Sequence, residues 1–291
     1  MPEAPDRWHR WLTDVRFGGD AAVREHLLTT VLYPVRDTVL GKAKLQPGDT
    51  VLDVGTGDGL IAFGALDRLG PSGRVIFSDI SQDLLDHCRA AAAAEGLQDR
   101  CQFILARADE LAGIADASVD VVTTRSVLIY VKDKAAALRE FYRVLRPGGR
   151  VSVFEPVNVL MHDRGRFLGY EIGPVRSLAA KVMALYESIQ PADDPMVDFD
   201  DRDLVRHAEQ AGFAEVGLEL RVSVKNGKHP VSWEQVLRMS GNPRVPTLGE
   251  ALDRTLTPQE ITELTAHLKP LVESGTGQER TVLAYLTAAK E

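Results

Sequence analysis

Cysteine is scarce in this chain: 291 residues contain only Cys88 and Cys101. That excludes a disulfide framework and a four-ligand zinc site built on cysteine, and it predicts reduced thiols in a cytoplasmic setting; no metal site is expected. No apolar run reaches the roughly 18 residues that a membrane span needs. Met1 to Arg10 is polar and has no apolar centre of the kind found in secretory signals. Basic surplus is also missing. A net charge of -8 argues against broad nucleic-acid binding, yet it leaves room for a small anionic substrate held by a local arginine. Repeats and low-complexity tracts are absent as well. What remains is the ordinary make-up of a folded globular chain, 44% apolar and 26% charged.

Between Leu45 and Glu155, short β-rich runs alternate with amphipathic stretches. The pattern predicts strands at Thr50 to Val54, Arg74 to Ser78, Gln102 to Ala106, Val119 to Thr123 and Arg150 to Phe154. Helices are expected at Leu60 to Leu69, Ser81 to Glu95 and Lys132 to Leu145, with Ser81 as N-cap and Gly96 as the stop. Strict alternation implies an α/β fold with a doubly wound, mostly parallel sheet. Residues 160–190 and 231–274 look helical, as do 5–40. Asp201 to Ala211 reads as a helix closed by Gly212, and Ala214 to Lys225 and Thr281 to Ala288 read as late strands.

The expected organisation is therefore one domain. It has a helical arm over 1–40, an α/β core over 41–159, a helical cap insertion over 160–199 and a core helix and strand over 200–226. A second helical insertion over 227–278 and a last strand over 279–291 complete it. A boundary near residue 160 is the alternative.

The segment Val51-Leu52-Asp53-Val54-Gly55-Thr56-Gly57-Asp58-Gly59 reads as a buried strand ending in a glycine-dense turn, where a ligand can approach bare backbone. Gly55 and Gly57 fit the first two places of a dinucleotide fingerprint. The sixth place is Leu60, however, and the third glycine, Gly59, comes one step early. Asp53 beside the turn would be a poor neighbour for a pyrophosphate and a good one for an ammonium. Asp79 closes the next strand, close to the position from which an acid accepts ribose hydroxyls. Asp109 follows the third strand, within reach of an adenine edge. A phosphate-free adenosine carrying an amino-acid tail satisfies all three acids.

These segments resemble those of class I S-adenosylmethionine-dependent methyltransferases. The resemblance covers about residues 45–155 and rests on the D-x-G-x-G-x-G loop, Asp79, Ala108-Asp109 and Arg143-Val144-Leu145-Arg146-Pro147-Gly148-Gly149. That last segment is similar to the turn before the fifth strand in the quinone-biosynthesis and small-molecule subgroup. The resemblance implies S-adenosylmethionine as cofactor and a Rossmann-like, seven-stranded sheet ending in an antiparallel hairpin. It also implies a cofactor site made by Asp53, Gly55, Thr56, Gly57, Asp79, Ile80, Ala108 and Asp109. Arg125 and Ser126 would line the sulfonium end, and Arg16 would belong to an arm folded over the cofactor.

Methyl transfer needs no metal and no covalent intermediate. Where the acceptor is a hydroxyl, a base helps, and the candidates are His162, Tyr130 and His229, with Glu155 near a strand end. Trp8, Trp11, Tyr170, Tyr186, Trp233 and Met239 could wall a pocket for a ring-bearing small molecule. The absence of an Asn-Pro-Pro-Tyr or Asp-Pro-Pro-Tyr segment after the fourth strand argues against base amino methylation. Two cysteines fit arsenite methylation poorly. The competing readings are a non-catalytic cofactor-binding scaffold and a nicotinamide-dependent oxidoreductase. A homodimer that exchanges the N-terminal arm is one assembly open to the chain.

Overall fold

The computed structural model describes residues 6–161 and 165–291. Its strands are β1 (Thr50–Val54), β2 (Arg74–Asp79), β3 (Cys101–Leu105), β4 (Val119–Arg125) and β5 (Leu145–Pro156). A small hairpin follows, β6 (Arg166–Phe167) with β7 (Tyr170–Glu171), and then β8 (Glu215–Asn226) and β9 (Gln278–Ala289). Seven of them form one sheet in the order β3-β2-β1-β4-β5-β9-β8. β1 to β5 pair in parallel, and β9 runs antiparallel to both β5 and β8. This is the doubly wound sheet of the sequence pattern, with the seven strands and antiparallel end that the resemblance implies. The chain runs outward from β1 to β3, then returns to place β4 on the other side of β1. Such a reversal opens a crevice at the strand carboxyl ends, where ligands of doubly wound sheets bind.

The helices are α1 (Arg7–Thr13), α2 (Ala21–Leu27), α3 (Tyr33–Ala43), α4 (Leu60–Leu66), α5 (Gln82–Ala94) and α6 (Lys134–Val144). The later ones are α7 (Arg176–Ile189), α8 (Asp201–Ala211), α9 (Trp233–Arg238), α10 (Leu248–Thr255) and α11 (Pro258–Ser274). One core on the sheet takes α3, α4 and α5 through Val39, Leu40, Ile61 and Leu85. Another takes α6 and α8 through Leu138, Phe141 and Leu204. The predicted caps hold: Ser81 Oγ accepts the Leu84 amide at 3.1 Å, and Gly212 ends α8 in the left-handed region.

Two local expectations shift. The Arg146-Pro147-Gly148-Gly149 segment is a bulge inside the β4–β5 pairing, whose register jumps from Val119↔Leu145 to Val121↔Arg150. Residues 160–190 are only partly helical, because β6 and β7 precede α7. The two stretches read as separate insertions share one apolar core of their own, made by Phe167, Tyr170, Val182, Trp233, Leu252 and Leu264. Among the described residues, no helix is long and apolar enough to cross a membrane.

Candidate active site

A cavity of about 760 Å³ lies over the strand carboxyl ends, within the size range of small-molecule sites. Its floor follows the strand order. Gly55 and Gly57 come from the β1 turn, Asp79 and Ile80 from β2, Ala108 and Asp109 from the loop after β3. Arg125 and Ser126 end β4, and Pro156 and Asn158 end β5. Its roof is the arm, with Trp8, Trp11, Leu12 and Arg16, together with Met196 and Arg244 from later loops. Trp11 Nε1 donates to the Ser240 carbonyl at 3.1 Å, which joins the arm to the second insertion.

The glycine turn is shaped from behind. Gly55 has φ +64, and a Cβ there would lie 2.3 Å from Val127 Cγ2, so no side chain fits. The β1–β4 register sets Thr123 beside Asp53. The buried Asp53 carboxylate accepts the Thr123 and Thr56 hydroxyls, each at 2.8 Å. Burial pushes this acid up to about 7 despite those two bonds and the field of Arg125. Asp53 and Thr56 do not line the cavity. The two hydroxyls tie this acid to the turn and to β4.

Asp79 does line the cavity. It accepts the amides of Gly57 at 2.8 Å and Ser81 at 3.0 Å, and burial raises it from its ordinary value. Ile80 beside it is 51% exposed, an apolar face open to the crevice. Asp109 is held low by Arg107, whose guanidinium donates to it at 2.9 and 2.7 Å. Ser126 sits at φ +57, rare for a side-chain-bearing residue. Its amide is tied to the Phe154 carbonyl at 2.8 Å.

The three proposed bases separate. Tyr130 lines the cavity, packed edge-on against Trp8 at 4.9 Å between centroids. Burial pushes its phenol up, so it stays protonated and can donate. His229 is elsewhere: it stacks on His26 at 3.8 Å over a shallow surface pocket. His162 lies outside the described residues. Glu155 is buried beneath the wall, accepting the amides of Val127, Leu128 and Ile129 at 2.9, 2.8 and 3.2 Å. Burial pushes it up to about 7.

Of the six apolar candidates, Trp8 and Trp11 reach the cavity. Tyr170 and Trp233 are buried in the cap's own core with Tyr186 beside them, and Met239 packs on the Gly18 turn. Sequence reasoning missed Met196 and Arg244. Both sit in proline-bearing loops, and Arg244 is fixed there by a forked ion pair with buried Asp194.

The residues of this crevice fit an adenosyl ligand without phosphates: an acid with two backbone anchors, an open apolar face next to it and a glycine turn no side chain could occupy. A family model described as a methyltransferase domain matches residues 45–187. The ubiquinone/menaquinone biosynthesis C-methyltransferase UbiE of Hahella chejuensis is 35% identical over 180 residues, covering 60% of this chain and 70% of that protein. The chain belongs to the class I S-adenosylmethionine-dependent methyltransferases.

The cofactor of this methyltransferase is S-adenosylmethionine. Other relatives differ in their named acceptors. The arsenite methyltransferase of Halobacterium salinarum is 36% identical over 115 residues, 40% of this chain and 29% of that protein. The tRNA 5-carboxymethoxyuridine methyltransferase of Escherichia coli K12 is 34% identical over 142 residues, 47% of this chain and 52% of that protein. The methyltransferase thus spans about a third to a half of these two relatives. A solved Haemonchus contortus phosphoethanolamine N-methyltransferase shares the fold, with a TM-score of 0.54 at 16% identity over 89% of this chain and 52% of that one.

Proposed function

We propose that this methyltransferase acts on a small-molecule acceptor, at an oxygen, nitrogen or carbon nucleophile. The observation that carries the reading is the roof: Trp11 bonds across the cavity to Ser240, and Trp8 packs on Tyr130. A polymer would have to part these contacts, whereas a small molecule needs only the space beneath them. The net charge of -8 also disfavours a nucleic-acid acceptor.

In this reading Asp79 receives the ribose hydroxyls and Ile80 packs on the adenine. Ala108 and Asp109 border the adenine edge, and the turn at Gly55 and Gly57 receives the methionine portion. Asp53 and Thr56 act one step back, by fixing the turn. When bound, S-adenosylmethionine supplies an electrophilic methyl group that leaves its sulfonium as the acceptor's lone pair forms the new bond. The protein's part is to orient and to exclude water, effects worth roughly 7–11 kcal/mol of barrier in well-aligned reactions. Among the described residues the carboxylates lining the cavity are Asp79 and Asp109, which this reading assigns to the adenosine side, and Tyr130 remains a protonated donor.

The test is methyl-tritiated S-adenosylmethionine offered with a panel of small hydroxylated, amino and carboxylic ring compounds and, separately, with bulk tRNA. Label in a small product together with S-adenosylhomocysteine supports the reading. Label in tRNA alone overturns it.

A further inference from the structure

The cavity wall carries cations that lack a carboxylate partner among the described residues. Arg244 is neutralised by Asp194 and Arg107 by Asp109. Arg16 and Arg125 are both partly buried and both line the cavity, yet neither forms an ion pair with a carboxylate among the described residues. They lie close enough to oppose each other's charge. Burial first, and then Arg125, pull the Arg16 guanidinium down to about 10, with only Asp58 and Tyr130 acting the other way. Two partly buried guanidiniums lining one cavity beneath the arm favour anions as ligands.

The cofactor meets only part of that demand. S-adenosylmethionine carries one carboxylate against an ammonium and a sulfonium, so it brings net positive charge to a site already lined by Arg16 and Arg125. Position along the sheet separates the two arginines. The acids Asp79 and Asp109 stand at the β2 and β3 side of the glycine turn, whereas Arg125 ends β4 on the opposite side. Arg16 descends from the arm into the field of Asp58, a residue of the glycine turn itself. Arg16 is thus suited to the carboxylate of the cofactor, and Arg125 is left facing the space beyond it.

Resting on the small-molecule reading above, we propose that the acceptor is a ring-bearing carboxylic acid whose carboxylate seats on the Arg125 guanidinium. The Tyr130 hydroxyl supplies a second donor to the same group, and Trp8 and Met196 pack on the ring. A guanidinium pairs with a carboxylate through two parallel N–H donors, which fixes orientation as well as charge. The anion also offsets the repulsion between Arg125 and the sulfonium. Acceptor and cofactor therefore bind with positive coupling.

Calorimetry on the full chain loaded with S-adenosylhomocysteine tests this. The probes are benzoate, salicylate, anthranilate and indoleacetate, each paired with its neutral carboxamide. The expected result is that at least one acid binds about tenfold or more tighter than its amide, the scale of removing one charged hydrogen bond. Measured at saturating S-adenosylhomocysteine, Arg125→Gln should erase that preference, and Arg125→Lys should restore part of it. Arg16→Gln should weaken S-adenosylhomocysteine instead. If no acid binds, if amides bind equally well, or if Arg125→Gln leaves the preference intact, the proposal fails. Failure of the wild-type protein to take up S-adenosylhomocysteine at all would instead strike the functional reading beneath it.

Discussion

The carboxylate of Asp79, at the end of β2, accepts the amide of Gly57 at 2.8 Å. One side chain thereby links the glycine turn of β1 to the acid expected to meet the ribose. Asp79→Ala removes both the anchor and the acceptor. The loss of a charged hydrogen bond is worth about 1.5–3 kcal/mol, so affinity for S-adenosylhomocysteine should fall by roughly tenfold to a hundredfold. Calorimetry reads it directly, and an unchanged Kd would refute the assigned role.

Gly55→Ala should unsettle the same turn from the other side. The new Cβ would meet Val127 Cγ2 at 2.3 Å from a backbone at φ +64, and the left-handed conformation alone costs about 1–2 kcal/mol. Melting temperature should drop. Adding Val127→Ala to Gly55→Ala should recover part of it by opening space. If the second change lowers Tm further, the clash is not the cause.

Two buried acids give the fold a pH signature. Burial holds Asp53 and Glu155 at about 7, above the ordinary range for carboxylates. Between about pH 4 and about pH 7 the native state therefore retains protons that the unfolded chain has lost, and stability declines as pH rises through that window. Asp53→Asn cannot ionise. Its melting temperature relative to wild type should climb from acid to neutral pH and level off above about 7. Thermal scans across that range decide it, and a difference that narrows as pH rises would contradict it.

The arm hangs on Asp6. Its side chain caps α1 through the Trp8 and His9 amides at 2.8 and 3.0 Å and accepts the Ser81 hydroxyl at 2.6 Å. Since α1 buries no residue fully, Asp6→Ala should barely move Tm while costing about 1 kcal/mol of helix capping. Amide exchange over α1 should accelerate, and S-adenosylhomocysteine should bind several-fold more weakly, because the roof residues Trp8, Trp11 and Arg16 follow that helix. Unaltered exchange over α1 would show that the strap is not at Asp6.

The strands from β1 to β5 were legible because each is a short apolar run closed by punctuation, and because Asp79 and the glycines sit where such a sheet needs them. Asp53 was harder. Its sequence position is right for a ligand contact, but its partner Thr123 lies on β4 and becomes a neighbour only through strand register. The cap was harder still. Tyr170 and Trp233 look, in sequence, just like Trp8 and Trp11. Which pair faces the cavity depends on packing between segments far apart in the chain. The same holds for Arg244, whose fixing partner Asp194 belongs to a loop fifty residues earlier. His229 near an insertion boundary gave no hint that it would stack on His26.

The second insertion leaves the sheet after β8 and returns before β9 through a narrow neck. There the Gly227 amide bonds to the Gly277 carbonyl at 2.7 Å, and the Lys228 amide to that of Gly275 at 2.9 Å. The segment between, including Ser240 and Arg244, interrupts no strand ladder, but its apolar core is completed by Phe167, Tyr170 and Val182 of the first insertion. The two insertions thus behave as one packing unit set beside the sheet. That unit is stitched to the arm as well, by the bonds of Trp11 to Ser240 and of Gln235 to Asp20.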